Sequence, residues 1–80
     1  MEDFYWIIEM DDMLDHEHNV YKEADFERAT DLFVDLRVRF EERANEIFKH
    51  LEVEKAGYGH FRMYCEDVEG CYELIMARNL

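Results

Sequence analysis

The chain contains no proline, serine or glutamine, and its single threonine is Thr30. Without serine, the commonest hydroxyl nucleophile is missing. Basic residues are scarce: nine Lys and Arg stand against 21 Asp and Glu, for a net charge of −12 over 80 residues. Direct nucleic-acid binding needs cations that displace condensed counterions, so this balance argues against it. Anionic membrane surfaces are disfavoured for the same reason, and no apolar run reaches membrane-spanning length. The opening MEDFYWII is acidic ahead of its apolar run, unlike a secretory signal. With two cysteines and no export signal, the expected compartment is the cytosol, with both thiols reduced. Gly57, Gly59 and Gly70 match no phosphate-cradling loop.

What is present is greasy enough to fold. Apolar residues make up 49% of the chain and aromatics 15%, which supports one domain over residues 1–80 despite the charge. Residues 3–10, DFYWIIEM, read as a strand rich in aromatic and β-branched types. Residues 11–24 show no clear period and read as a long acidic loop. From 25 to 52 the spacing predicts one amphipathic helix. Phe26, Ala29, Phe33, Leu36, Phe40, Ala44, Ile47 and Leu51 step by three or four, with Asp25 as the N-cap. Gly57 and Gly59 forbid any continuation. Residues 60–77 read as a hairpin, HFRMYC and CYELIMA, turning at EDVEG. No internal repeat, linker or low-complexity tract interrupts this order.

The expected fold is therefore α+β: a β-α-β-β order with a three-stranded sheet packed on one long helix. The helix stripe is expected to meet Phe4, Trp6 and Ile8, with Phe61, Met63, Leu74 and Met76 beside them. Tyr5 and Ile7 then fall on a spare apolar face with Tyr64 and Ile75. One helix cannot cover both faces, so this one is expected to hold a partner or to close a homodimer.

The charge is uneven. Residues 1–24 carry eight carboxylates and one lysine, whereas residues 25–52 carry eight acids and five bases. The helix charges are of mixed sign and read as a self-paired, solvated face. EMDDMLDHEH, residues 9–18, holds five carboxylates and two histidines with no Lys or Arg. Glu9, Asp11, Asp12, Asp15, Glu17 and Glu23 have only Lys22 near them in sequence. Held in place, such carboxylates attract a basic cleft in a salt-dependent way.

Catalysis is not expected. Cys65, Cys71 and His60 share the hairpin, yet nothing indicates a cleft or an oxyanion hole. His16 and His18 lie near Asp11, Asp12 and Asp15, but the spacing matches no closed zinc site and no calcium loop. Neither cofactor nor metal is expected. If the hairpin strands pair about the loop centre, Cys65 and Cys71 face each other and an oxidative disulfide is open to them.

The opening strand DFYWIIEM, the helix start ADFERATDLF and the hairpin HFRMYCEDVEGCYELIMA give an outline that resembles the small acidic inhibitors bacteriophages make against host defences, the anti-CRISPR proteins above all. The resemblance covers most of the chain as an outline and rests on no aligned motif. It implies a stoichiometric inhibitor, several of that kind being DNA mimics. Such an inhibitor acts in the host cytoplasm on the basic nucleic-acid groove of a partner such as a CRISPR-Cas effector complex. Glu9, Asp11, Asp12, Asp15, Glu17 and Glu23, with Tyr5 and Ile7 as apolar anchors, are the expected partner-binding set. The alternative is a homodimeric interaction module, or an antitoxin-like partner, that uses the apolar sheet face.

Overall fold

A computed structural model describes residues 3–78. Six elements follow in order: β1 (Tyr5–Asp11), β2 (Glu17–Glu23), α1 (Phe26–Ile47), β3 (Leu51–Gly57), β4 (His60–Cys65) and β5 (Cys71–Arg78). All five strands join one antiparallel sheet in the order β2-β1-β5-β4-β3. The class is α+β, but the expected three-stranded sheet is overturned by β2 and β3.

Both missed strands have physical reasons for being faint in sequence. β2, EHNVYKE, is an edge strand half-buried only at alternate positions, where Asn19, Tyr21 and Glu23 face α1. Two of those three are polar, so no apolar alternation announces it. The turn before it has no glycine; His16 takes the left-handed conformation instead, at φ 54°, a rare choice for a side chain with a Cβ. The acidic loop expected over 11–24 is therefore a tight turn at 12–16 followed by a strand. β3 was concealed by the helical period, since Ile47 and Leu51 continue a step of four. The helix instead ends at Ile47 with Phe48 in extended conformation, and His50 at φ 63° reverses the chain. Gly59, at φ 77°, then closes a tight turn between β3 and β4.

At its other end α1 starts as expected. The Asp25 carboxylate accepts from the Arg28 backbone N–H at 2.9 Å, satisfying one of the helix's orphan donors. Ala29, Phe33, Phe40 and Ala44 are buried. Phe26 and Ile47, at the ends of the predicted stripe, are 43% and 61% exposed. The two alanines are fully buried, so the helix backbone approaches the sheet closely there.

The sheet presents the face opposite to the one expected. Tyr5, Ile7, Glu9 and Asp11 point toward α1, and Ile7 is fully buried. Trp6 and Ile8 lie on the uncovered face, where Ile8 stands opposite Val20 and Ile75 and Trp6 opposite Lys22 and Ala77. A slip of one residue exchanges the faces of a strand, and apolar residues on both sides of β1 give its pattern nothing to break the tie. Phe61, Met63 and Leu74 do meet the helix side, as expected, and Tyr64 and Ile75 share the open face. Cys65 is buried toward the core while Cys71, paired with Tyr64, lies on the other face. The strands do not pair about the loop centre, so the condition for a Cys65–Cys71 disulfide is not met.

Tyr72 sits at the centre of the core. Its ring stacks on Phe40 at 3.7 Å and 9°, and Phe61 meets it edge-on at 6.2 Å. Replacing Phe40 by alanine removes the stacked ring and leaves a cavity, and is expected to cost about 3–5 kcal/mol. Val34, half exposed on the same helix, is expected to tolerate alanine within about 0.5 kcal/mol. Urea unfolding of the two variants checks the contrast.

Candidate functional site

Six of the eight residues expected at the site lie on one face of the first hairpin. Tyr5, Ile7, Glu9 and Asp11 of β1 and Glu17 and Glu23 of β2 all face the side that α1 occupies. Asp12 and Asp15 lie in the turn between them. Tyr5 and Ile7 are not apolar anchors on a spare face. Ile7 is core, and Tyr5 packs edge-on against Phe26 at 5.6 Å.

Asp11 has a structural task. It is only 5% exposed. One carboxylate oxygen accepts from the backbone N–H groups of Met13 and Leu14 at 2.9 and 2.8 Å, and the other from Asp15 at 3.1 Å. A buried carboxylate is tolerated when several donors replace its water. This one fixes the turn at 12–16, and Met13 beside it is buried in the core.

Glu9 and Asp15 are also engaged. Glu9 accepts from the Tyr72 hydroxyl at 2.6 Å and from the Asn19 amide at 3.2 Å. Burial and then the Glu9 carboxylate push the Tyr72 phenol far above its ordinary range. The same two causes raise Tyr21. Asp15 accepts both guanidinium arms of Arg43, at 2.8 and 2.9 Å. That fork holds the Asp15 carboxyl below the usual carboxylate range and raises Arg43 in turn. Glu9, Asp11, Asp15 and Glu17 thus line a small cleft of about 120 Å³ whose other wall carries Arg39 and Arg43 from α1. The lack of cations near this segment in sequence is made good in space by a helix about thirty residues away. Arg43 was the residue missing from the sequence reading. Its only signal is an i, i+4 relation to Arg39, which pairs with Asp35 at 3.0 Å.

One group of acids remains at the surface at one end of the molecule. The β4–β5 loop, Glu66–Gly70, lies against the turn at 12–16. Asp12 N–H donates to the Cys71 carbonyl at 3.1 Å. Gly70, at φ 98°, is so close that a Cβ there would stand 2.6 Å from the Asp12 carbonyl oxygen. Residues 11–17 and 66–69 together hold seven carboxylates and no Lys or Arg. The C-terminal end of α1 reaches the same region through Arg43. Its last turn carries no basic residue, and its unpaired carbonyls add partial negative charge. Arg43, forked onto Asp15, and Arg39 in the cleft temper this acidic end. Asp12 meets the His18 ring at 2.9 Å, while Glu17, Glu66, Asp67 and Glu69 are exposed. Glu23 lies at the opposite end of β2, across from Tyr5.

The contact of His18 with Asp12 does not extend to a metal-binding set. Among the described residues no three His, Cys, Asp or Glu side chains are placed to hold a metal ion, and no helix is long and apolar enough to cross a membrane.

Replacing Asp11 by alanine leaves three backbone donors without their acceptor. The expected cost is about 2–3 kcal/mol, with faster amide exchange at residues 13–15. Asp12→Ala, which disturbs only an exposed contact, is expected to change stability by less than about 0.5 kcal/mol. Denaturant unfolding with hydrogen exchange measures both. No protein-family model, curated protein or solved structure matches the chain.

Proposed function

We propose that the protein is a small acidic stoichiometric inhibitor that occupies the basic nucleic-acid-binding surface of a partner protein, in the manner of an anti-CRISPR DNA mimic acting in the cytoplasm of a host cell. The observation that carries this reading is the acidic end. Two hairpin turns from opposite ends of the chain are held against each other at Gly70 and Asp12, and the negative end of the helix dipole faces the same region. A surface that imitates phosphates needs its carboxylates held in place. Asp11, through its three backbone bonds, supplies that order from beneath.

The expected contact set changes accordingly. Asp11 and Glu9 act as supports. Asp12 and Glu17 present charge to the partner, joined by Glu66, Asp67 and Glu69, and Asp15 does so with its charge shared by Arg43. Such contacts govern association rate and salt dependence more than residence time. The Glu17→Lys, Glu66→Lys, Glu69→Lys variant is expected to keep the fold and to lose about tenfold or more in partner affinity at low salt, mostly through slower association. A pull-down from nuclease-treated lysate at low salt and again at about 0.5 M, where the Debye length is roughly 4 Å, provides the partner for that measurement. Unchanged binding by the triple variant overturns the electrostatic account.

The uncovered sheet face favours a second reading, a homodimeric interaction module. Trp6, Ile8, Val20 and Ile75 form an apolar strip there, with Val20 63% exposed. Lys22 lies 4.1 Å over the Phe4 ring, at the strip's margin. If this face closes a dimer, sedimentation shows two chains at micromolar concentration and Ile8→Asp returns one. A monomer in both cases removes that reading.

A further inference from the structure

The acidic end accounts for one part of the surface. The end where α1 begins has a different character. Phe26, Val34 and Tyr58 are exposed large hydrophobics, Tyr58 at 75%. They border the channel between α1 and the β3–β4 hairpin. Part of that channel is a cavity of about 260 Å³ floored by Phe33, Val34, Ala56 and Met76. Beside it, sharing Thr30, an open groove of about 300 Å³ on α1 is bounded by Phe26, Glu27 and Asp31. Tyr58 and Phe26 stand 5.7 Å apart between centroids and form the outer lip.

Two observations indicate what this channel would take. The first is charge. Arg37, which lines it, is paired with Glu41 at 2.7 Å, and Arg78 near its far end is paired with Asp3 at 2.6 Å. Glu27 and Asp31 have no such pair among the described residues, so the uncompensated charge on the rim is negative. The second is the exposed apolar border: Phe26, Val34 and Tyr58 stay 43%, 49% and 75% exposed, an area that the apolar face of a peptide would cover.

We propose that the channel between α1 and the β3–β4 hairpin is a docking site for a basic amphipathic peptide segment of a partner protein. Its apolar side chains lie over Phe33, Val34 and Tyr58, and its Lys or Arg residues meet Glu27 and Asp31. Apolar floor and acidic rim are the two halves of amphipathic-helix recognition. This site is at the opposite end of the helix from the acidic turns and does not depend on the function proposed for them.

The test is a titration of the ¹⁵N-labelled full chain with a short amphipathic leucine–lysine peptide, in about 0.5 M salt to suppress diffuse attraction. A leucine–glutamate peptide of the same pattern serves as the control. Saturable shifts at residues 26–37 and 56–59 are expected with the first peptide and not with the second. Val34→Asp and Tyr58→Ala change exposed side chains and are expected to keep the native spectrum while weakening binding about tenfold or more. The Glu17→Lys, Glu66→Lys, Glu69→Lys variant is expected to bind the peptide within about threefold of the parent. Shifts centred on residues 11–17 and 66–70, or loss of binding in that last variant, overturn the proposal in favour of simple attraction to the acidic end. So does the absence of any saturable shift.

Discussion

One helix lies over five strands, and most of the molecule's surface character follows from that mismatch. An α-helix with its side chains is about 10–12 Å across, whereas five strands at about 4.8 Å spacing span roughly 19 Å. α1 lies over β1, β5 and β2. The uncovered part is served by long side chains. The Arg37 guanidinium lies 4.5 Å above the Phe61 ring and roofs β4 with its stem. β3 is left out, and every one of its residues after Leu51 is exposed. The same shortage leaves the far face of the sheet without a layer. An apolar channel on one side of the sheet and an apolar strip on the other therefore have one cause.

Within the covered half, Tyr72 joins the dry core to the charged cleft. Its ring belongs to the aromatic stack with Phe40 and Phe61, and its hydroxyl reaches Glu9. Buried tyrosines require such a partner. The carboxylates of the first hairpin thus divide by role. Glu9 and Asp11 satisfy internal donors, Asp15 is tied to Arg43, and those beyond the turn are left to water or to a partner. A net charge of −12 overstates what the surface of that hairpin presents and understates what the β4–β5 loop adds to it.

Much of the fold was legible because its signals were local. The helix core from Ala29 to Ala44, the Asp25 cap and the β4–β5 hairpin were all visible in spacing and turn chemistry. What escaped was decided in three dimensions. β2 is half polar on its inward face because Asn19 serves Glu9. β3 followed a helical period it does not obey. The facing of β1 was undecided, since Tyr5 and Ile7 are as apolar as Trp6 and Ile8. At the site, the acidic density near residues 9–18 was plain. Its division of labour was not, because Arg43, Tyr72 and the loop at 66–70 come from distant parts of the chain. No pairing rule along the sequence connects Asp15 to Arg43.

The strand order carries a further consequence, in time rather than in space. β1, made early, occupies the middle of the sheet and pairs on one side with β2 and on the other with β5. The β1–β5 ladder brings Asp11 beside Tyr72 and Tyr5 beside Arg78. Closing so long a loop is entropically expensive and slow. While the chain emerges from the ribosome, the β1–β2 hairpin and then α1 can assemble, but the apolar inner edge of β1 must wait for β5. During that interval Tyr5 to Met10 form an unpaired strand edge, the kind of segment that invites pairing with a neighbouring chain. The carboxylates that begin at Glu9 lie directly beside that edge, where like charges on two nascent chains keep them apart.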